Sequence, residues 1–244
     1  MRLLLITLLW GFSLPLFAID LPPRIDIDYL MRSGLMEGLE GTVNETLEIK
    51  KQNGIPSYTI TSEMRASGLT ALVIAGSVVR DSKGTITTQG LRPDSFSDKR
   101  REKLNITIFD WKDKLLTIQR KGRKGIEHKD EQHILSAGAQ DRLSALYYFL
   151  FSPLPRKAVD LYETDGRGPV KLIRYAIGEK ETLDTPMGKL ETIVLTKQQT
   201  EDDKLNRKIW LATAHYMLPV RIISTEKSGL VLEQIVTKIN YTAP

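Results

Sequence analysis

Apolar and polar side chains alternate one by one in many short segments of this chain, and this pattern constrains its fold most strongly. In the clearest case Leu47 and Ile49 alternate with Glu48 and Lys50. The same pattern recurs at Tyr58, Ile60 and Met64, at Leu104, Ile106 and Ile108, at Ile173, Tyr175 and Ile177, and at Ile235, Ile239 and Tyr241. A period of two places one row of side chains in a core and the other in solvent, which is typical of antiparallel sheets with one wet face.

Residues that favour tight turns separate the alternating segments. Asn53 and Gly54 give the strongest signal, because both tolerate the positive φ of a two-residue hairpin loop. Further turn signals lie at residues 81–84, 122–125, 187–188 and 228–229. This spacing predicts about a dozen strands joined mainly by hairpins. The sequence therefore predicts a mainly β fold, a long antiparallel meander that forms a curved sheet or open barrel.

Two segments depart from this pattern and predict short helices packed on the sheet. Residues 67–75 carry Leu69, Leu72 and Val73 at helical spacing. Residues 140–151 carry a longer apolar stripe, and Pro153 ends it. The stripe consists of Leu143, Leu146, Tyr147, Leu150 and Phe151. Because the sequence shows no linker, low-complexity tract or internal repeat, we expect a single domain over 19–244 with its core at about 24–240.

The first residues of the chain predict export. Arg2 is the only charged residue before Asp20, and an apolar run extends from Leu3 to Leu16, with Ala18 as a small residue before a cleavage point. The run is shorter than the ~20 apolar residues that span a bilayer, and the chain has no cysteine for lipid attachment. We therefore expect a signal peptide over 1–18, no membrane span after its removal, and a periplasmic location.

The charge of the chain does not favour a nucleic-acid partner. Its formal net charge of +5 at pH 7 is mild, and its basic residues are dispersed apart from short runs at 99–103 and 120–124. A nucleic-acid reader usually carries a stronger basic patch interleaved with aromatic residues. The run at 120–124 is interpreted as protection of a strand edge against aggregation, and a surface for anionic lipid or lipopolysaccharide is the alternative.

No catalytic or metal-binding constellation stands out in the sequence. His128 and His133, with Asp130 and Glu131 between them, are metal-ligating residue types but lack the further convergent ligands of a metal site. We find no nucleophile motif and no glycine-rich phosphate loop. No catalytic residue, metal or cofactor is therefore assigned, and we expect the protein not to be an enzyme.

The order of several local motifs resembles a known family. Phe109-Asp110-Trp111 is followed by Gly138-Ala139-Gln140-Asp141, then by Ile209-Trp210-Leu211-Ala212 and by Pro219-Val220-Arg221-Ile222. In this order, over about residues 24–240, they resemble the exported domain-of-unknown-function family 3108 of Gram-negative bacteria. That family has no established activity, so the resemblance implies no catalytic residue.

A looser similarity concerns architecture alone. The predicted architecture, an apolar helix set in a long meander, is similar to that of the periplasmic lipoprotein carriers. In those proteins a half-closed β-barrel receives acyl chains on its apolar concave face. Fold by itself does not determine function.

Three functions are open from the sequence. The leading hypothesis is a non-enzymatic envelope binding protein for an apolar or lipid-like ligand, lined by Leu143, Leu146, Tyr147, Leu150 and Phe151. The alternatives are a structural or assembly factor that binds another envelope protein, and an unrecognised glycan or peptide hydrolase. A large carbon-lined cavity favours the first, and a filled core with an exposed apolar patch favours the second. Close carboxylates with perturbed pKa values in a cleft favour the third.

Overall fold

The structure is a computed structural model that describes residues 21–33, 40–52, 54–67, 76–122, 129–201, 203, 205–225 and 229–243. The described residues form fifteen strands in one sheet. The first eight are β1 (Arg24–Ser33), β2 (Glu40–Gln52), β3 (Ile55–Ser67), β4 (Ser77–Thr87), β5 (Gly90–Arg100), β6 (Lys103–Asp110), β7 (Leu115–Lys121) and β8 (Glu131–Ile134). The others are β9 (Gln140–Asp141), β10 (Ala158–Thr164), β11 (Lys171–Thr185), β12 (Gly188–Lys197), β13 (Arg207–Ala212), β14 (Leu218–Thr225) and β15 (Val231–Thr242).

Strand order in the sheet follows chain order along two arms. One arm runs from β1 out to β8 and the other from β15 out to β9, because β1 pairs with both β2 and β15. Neighbouring strands are antiparallel except β9 and β10, which pair in parallel. Although β8 and β9 are consecutive in sequence, they form opposite edges, so the sheet is not closed into a barrel. The predicted mainly β, open antiparallel meander is confirmed.

Four of the fourteen apolar side chains that the alternation predicted to face the core are fully buried, whereas Tyr241 is 38% exposed. Leu47, Tyr58, Ile60 and Tyr175 are all buried. In β6 the predicted face was wrong by one residue, because Thr107 and Phe109 are buried while Ile108 is 40% exposed. The Phe109 ring stacks on Trp111 with ring centroids 6.0 Å apart. An aromatic ring buries more surface than isoleucine, which explains why the Phe109 face points inward.

The turn predicted at residues 81–84 was also wrong, since all four residues lie within β4. A Cβ atom on Gly84 would lie 2.1 Å from the carbonyl oxygen of Arg92 on β5. The pairing of these strands shifts register between Lys83 and Gly84, as at a β-bulge. Close approach of two backbones therefore requires this glycine. Gly54, by contrast, has a φ of +82° between β2 and β3, as expected of a hairpin turn.

The helix predicted over 140–151 was wrong. The segment begins with β9, continues through turns and ends in a 3₁₀ helix, Tyr148–Leu150, the one helix in the described part of the chain. Asp141 caps the first turn, as at a helix start, but from Leu146 onward each backbone hydrogen bond spans three residues instead of four. Tyr147 packs in one core cluster and Phe149 in the other, so neither side of the segment faces water as a surface helix requires.

Several sequence predictions lie outside the described residues. They are the signal peptide 1–18, nearly all of the helix at 67–75, most of the turn at 122–125, and the residues Asn53, His128 and Ser228. No helix in the described part of the chain has the length and apolar character needed to cross a membrane.

Candidate functional site

The apolar stripe predicted to line a ligand cavity forms part of the core. Leu143, Tyr147 and Leu150 are buried in the same cluster as the inner side chains of β1 to β3, and Leu146 and Phe151 are half-buried against that cluster. Of these five residues, Leu143 and Leu146 also line a small polar cavity, described below. The recurrence of apolar residues three and four positions apart thus predicted the burial of these side chains correctly. An apolar ligand site at these residues stays a prediction.

A buried carboxylate lies beneath this segment. The Tyr147 hydroxyl donates a hydrogen bond of 2.7 Å to Glu45 Oε2, and the Ser62 hydroxyl donates one of 2.9 Å to Glu45 Oε1. Burial raises the pKa of Glu45, while the bonds from Tyr147 and Ser62 and the charge of Arg80 oppose that rise. The two hydroxyls compensate in part for the lost hydration of the carboxylate.

A second buried carboxylate fixes the start of the segment to the sheet. Asp141 Oδ2 accepts a hydrogen bond of 2.5 Å from Ser82 on β4, and Oδ1 accepts bonds from the backbone N–H groups of Leu143 and Ser144. Burial raises the pKa of Asp141 to about 6, although these bonds favour its charged form. β9 is therefore held against β4 as well as paired with β10.

Glu45 lines a small cavity of about 30 Å³, here called the inner cavity. Its wall includes three guanidinium groups, those of Arg80 on β4, Arg142 after β9 and Arg207 on β13. Sequence analysis assigned a role to none of these arginines. They come from three distant parts of the chain, so no short motif contains them.

A larger open cleft of about 810 Å³, here called the outer cleft, adjoins the inner cavity, because Arg142 and Arg207 line both. Its basic residues are Arg142, Arg167, Lys171, Lys197 and Arg207. Its acidic residues are Glu163, Asp165, Glu201 and Asp203, and its apolar ones include Pro169, Ile173 and Leu205. The volume lies within the range of small-molecule sites.

Ion pairs hold the walls of the outer cleft. Arg207 Nη1 donates to Glu163 Oε2 at 2.8 Å and to the Tyr175 hydroxyl at 2.9 Å. Burial opposes the charge of Arg207, but Tyr175 and Glu163 outweigh it and raise the pKa of this arginine. Lys197 Nζ donates to Asp203 Oδ2 at 2.7 Å, and this bond keeps the pKa of Asp203 below its usual value despite burial.

The histidines of the described residues lie outside both cavities. His133 Nε2 is 2.7 Å from Glu131 Oε1, and His215 Nδ1 is 2.7 Å from the Tyr241 hydroxyl. Within the described ranges, no three histidine, aspartate or glutamate side chains converge as metal ligands would.

This fold defines a mainly β protein built on one open sheet. It is similar to the crystal structure of a beta-barrel-like protein of the domain of unknown function DUF1849 from Brucella abortus. The TM-score is 0.50 at 10% sequence identity, with 92% of this chain and 100% of that chain covered. At this identity the likeness shows the fold alone.

The sequence profile of DUF3108, described as a protein of unknown function, matches residues 28–234. The chain belongs to this family, as the order of its motifs indicated. No curated protein matches its sequence significantly.

Proposed function

We propose that the protein is a non-enzymatic binding protein of the cell envelope, and that its outer cleft binds the anionic end of a lipid-like ligand. One observation carries this proposal. The outer cleft combines five basic and four acidic side chains with apolar ones in a volume of about 810 Å³, and two of its arginines also line the inner cavity. Concave sites with a few placed polar groups among apolar ones are typical of small-molecule binding.

Packing of the stripe supports an amphiphilic ligand over a purely apolar one. Leu143, Tyr147 and Leu150 already fill the space beside the inner strands. Ile173 and Leu205 instead lie in the open cleft beside the basic groups. A ligand with an anionic head and a short apolar portion would contact both kinds of side chain there.

The state of the cleft carboxylates supports binding over hydrolysis. A glycosidase needs one carboxylic acid whose pKa is raised so that it donates a proton. Glu163 is paired with Arg207, and Asp203 with Lys197, which lowers the pKa of Asp203. A carboxylate whose pKa is lowered by an ion pair, as that of Asp203 is, stays charged and is not suited to donating a proton.

Two neighbouring substitutions on β11 test the proposal. Ile173 lines the outer cleft, whereas Leu172 precedes it on the same strand and is 57% exposed. Because successive side chains on a strand point to opposite faces, Ile173→Trp obstructs the cleft and Leu172→Trp adds the same bulk outside it. We expect a fluorescent fatty-acid analogue to bind saturably to the protein and to Leu172→Trp, and about tenfold more weakly to Ile173→Trp.

The outcomes separate clearly once circular dichroism shows that both variants are folded. Equal binding by the two variants would place the probe elsewhere and contradict the cleft as the site. Absence of saturable binding to the unsubstituted protein would contradict the lipid-like ligand. Mass spectrometry of molecules that co-purify from the native envelope should identify an anionic amphiphile.

A further inference from the structure

Three arginine residues line the inner cavity, and two of them also line the outer cleft. Arg142 and Arg207 line both spaces, which adjoin at what is here called the junction, and Arg80 lines the inner cavity. Each belongs to a different part of the fold: β4, the turn after β9, and β13.

Arg207 has N–H groups available at this junction. Its bonds to Glu163 and Tyr175 both use Nη1. An arginine carries five N–H donors in a fixed planar fork, and those on Nε and Nη2 have no acceptor among the described residues. These atoms are not sealed in the interior, since the only fully buried side-chain atoms without a partner in the described part are Thr107 Oγ1 and Gln140 Oε1. The Nε and Nη2 atoms of Arg207 are therefore not fully enclosed by protein, and the residue lines both cavities.

Arg80 adds a second incompletely bonded guanidinium, and its side chain is only 8% exposed. It donates from Nε to Asp98 Oδ2 at 3.3 Å, and neither of its Nη atoms has an acceptor among the described residues. Asp98 also pairs with Arg100 at 2.9 Å and with Arg167 at 3.4 Å. The Asp98 carboxylate is thus shared among three arginines.

Glu45 is the one carboxylate among the residues that line the inner cavity, and three arginines line it as well. Its two oxygens already accept bonds from Ser62 and Tyr147, and burial raises its pKa. Opposite charges attract strongly where protein excludes water. The inner cavity, at about 30 Å³, has room for about two water-sized atoms. An anion would therefore lie in the outer cleft and direct one or two oxygens inward.

We propose that the anionic group bound at this junction is a phosphate monoester, held by Arg142 and Arg207 with an oxygen directed towards Arg80. The inference rests on the function proposed above and names the chemistry of the ligand. A phosphate monoester has three terminal oxygens and nearly two negative charges. It matches three guanidinium groups on three elements, whereas a carboxylate has one charge and two coplanar oxygens, which a single arginine fork satisfies.

Isothermal titration calorimetry at pH 7.5 with dodecyl phosphate, dodecanoate and inorganic phosphate tests this inference. We expect dodecyl phosphate to bind about tenfold more tightly than dodecanoate, since its phosphate accepts more charge-assisted hydrogen bonds from the arginines. Arg207→Lys keeps the charge but removes the fork, so it should weaken phosphate binding about tenfold. Arg142→Lys is the second variant, because Arg207 also holds Glu163 and its replacement can affect folding. Arg174→Lys, an exposed arginine of β11 paired with Asp160 outside both cavities, is the matched control and should bind as the unsubstituted protein does.

Each result supports or overturns a separate statement. Equal affinity for dodecyl phosphate and dodecanoate would overturn the phosphate inference and leave the proposed function intact. Binding of inorganic phosphate as tightly as dodecyl phosphate would support the phosphate site and contradict the lipid-like ligand. No binding of any probe would overturn both, and unchanged affinity in folded Arg207→Lys and Arg142→Lys would overturn the location.

Discussion

Tyr147→Phe removes one hydroxyl group from the core and tests the link between the apolar segment and the buried carboxylate. Tyr147 and Glu45 are both buried, and the hydroxyl lies 2.7 Å from Glu45 Oε2. After the substitution Glu45 keeps the bond from Ser62 at Oε1 but has lost its donor at Oε2. A hydrogen bond to a charged group contributes about 1.5–3 kcal/mol. We expect a loss of that size in the free energy of unfolding at pH 8.

The loss should depend on pH with a definite sign. The bond from Tyr147 lowers the pKa of Glu45 against burial, which raises it above its usual 4.5. Removal of the hydroxyl therefore raises this pKa further. More of the carboxyl is ionised at pH 8 than at pH 4, so the loss of its donor has the larger effect at pH 8. At pH 4 the carboxyl is protonated in the folded state and much of the effect is absent, so the destabilisation grows as the pH rises.

Urea unfolding followed by circular dichroism at pH 4 and pH 8 measures both quantities. Tyr148→Phe is the matched control, because Tyr148 is half-buried, its ring contacts Phe149 edge-on at 5.2 Å, and its hydroxyl has no hydrogen-bond partner among the described residues. This control should change stability by less than about 0.5 kcal/mol. An equal loss in both variants, or a Tyr147→Phe loss that is the same at both pH values, would refute the reasoning.

Three further predictions concern the core, a second carboxylate and export. Leu150→Ala truncates a side chain that is 2% exposed and should lower the free energy of unfolding by about 2–5 kcal/mol. Leu172→Ala, at an exposed leucine, is the control. Equal melting temperatures of the two variants would show that the site around Leu150 is not packed. The free energy of unfolding of Asp141→Asn, relative to that of the unsubstituted protein, should rise by up to about 3 kcal/mol from pH 4 to pH 7. The folded pKa of Asp141 is raised from 3.8 to about 6, so stability is lost as the pH rises through 6, and a constant difference would contradict this. N-terminal sequencing of the exported protein should begin near Ile19, and a sequence beginning at Met1 would contradict cleavage.

The order of strands was accessible from sequence because alternation and turn residues are local signals. Leu47 and Ile60 are buried as their patterns predicted. The pattern failed in β6, where apolar residues occupy both faces and the larger Phe109 takes the inner one. It also failed at Gly84, because the sequence does not distinguish a glycine required by the close approach of a neighbouring strand from a glycine in a turn.

The candidate site was not accessible from sequence. Leu143, Tyr147 and Leu150 were predicted to line a ligand site because spacing reveals which side chains are buried but not what they contact. The 3₁₀ winding after Leu146 depends on packing against two core clusters, which no local pattern encodes. Arg80 and Arg207 line the same cavity only because β4 and β13, which lie on opposite arms of the sheet, both border it.

The central claim is that the ligand occupies the outer cleft and not the side chains of residues 143–151. Hydrogen–deuterium exchange of the protein with and without saturating dodecyl phosphate tests it most directly. We predict slower exchange of backbone amides at 164–173 and 205–207, which border the cleft, with exchange at 143–151 unchanged. Protection confined to 143–151 would contradict the account and place the ligand at the apolar stripe instead.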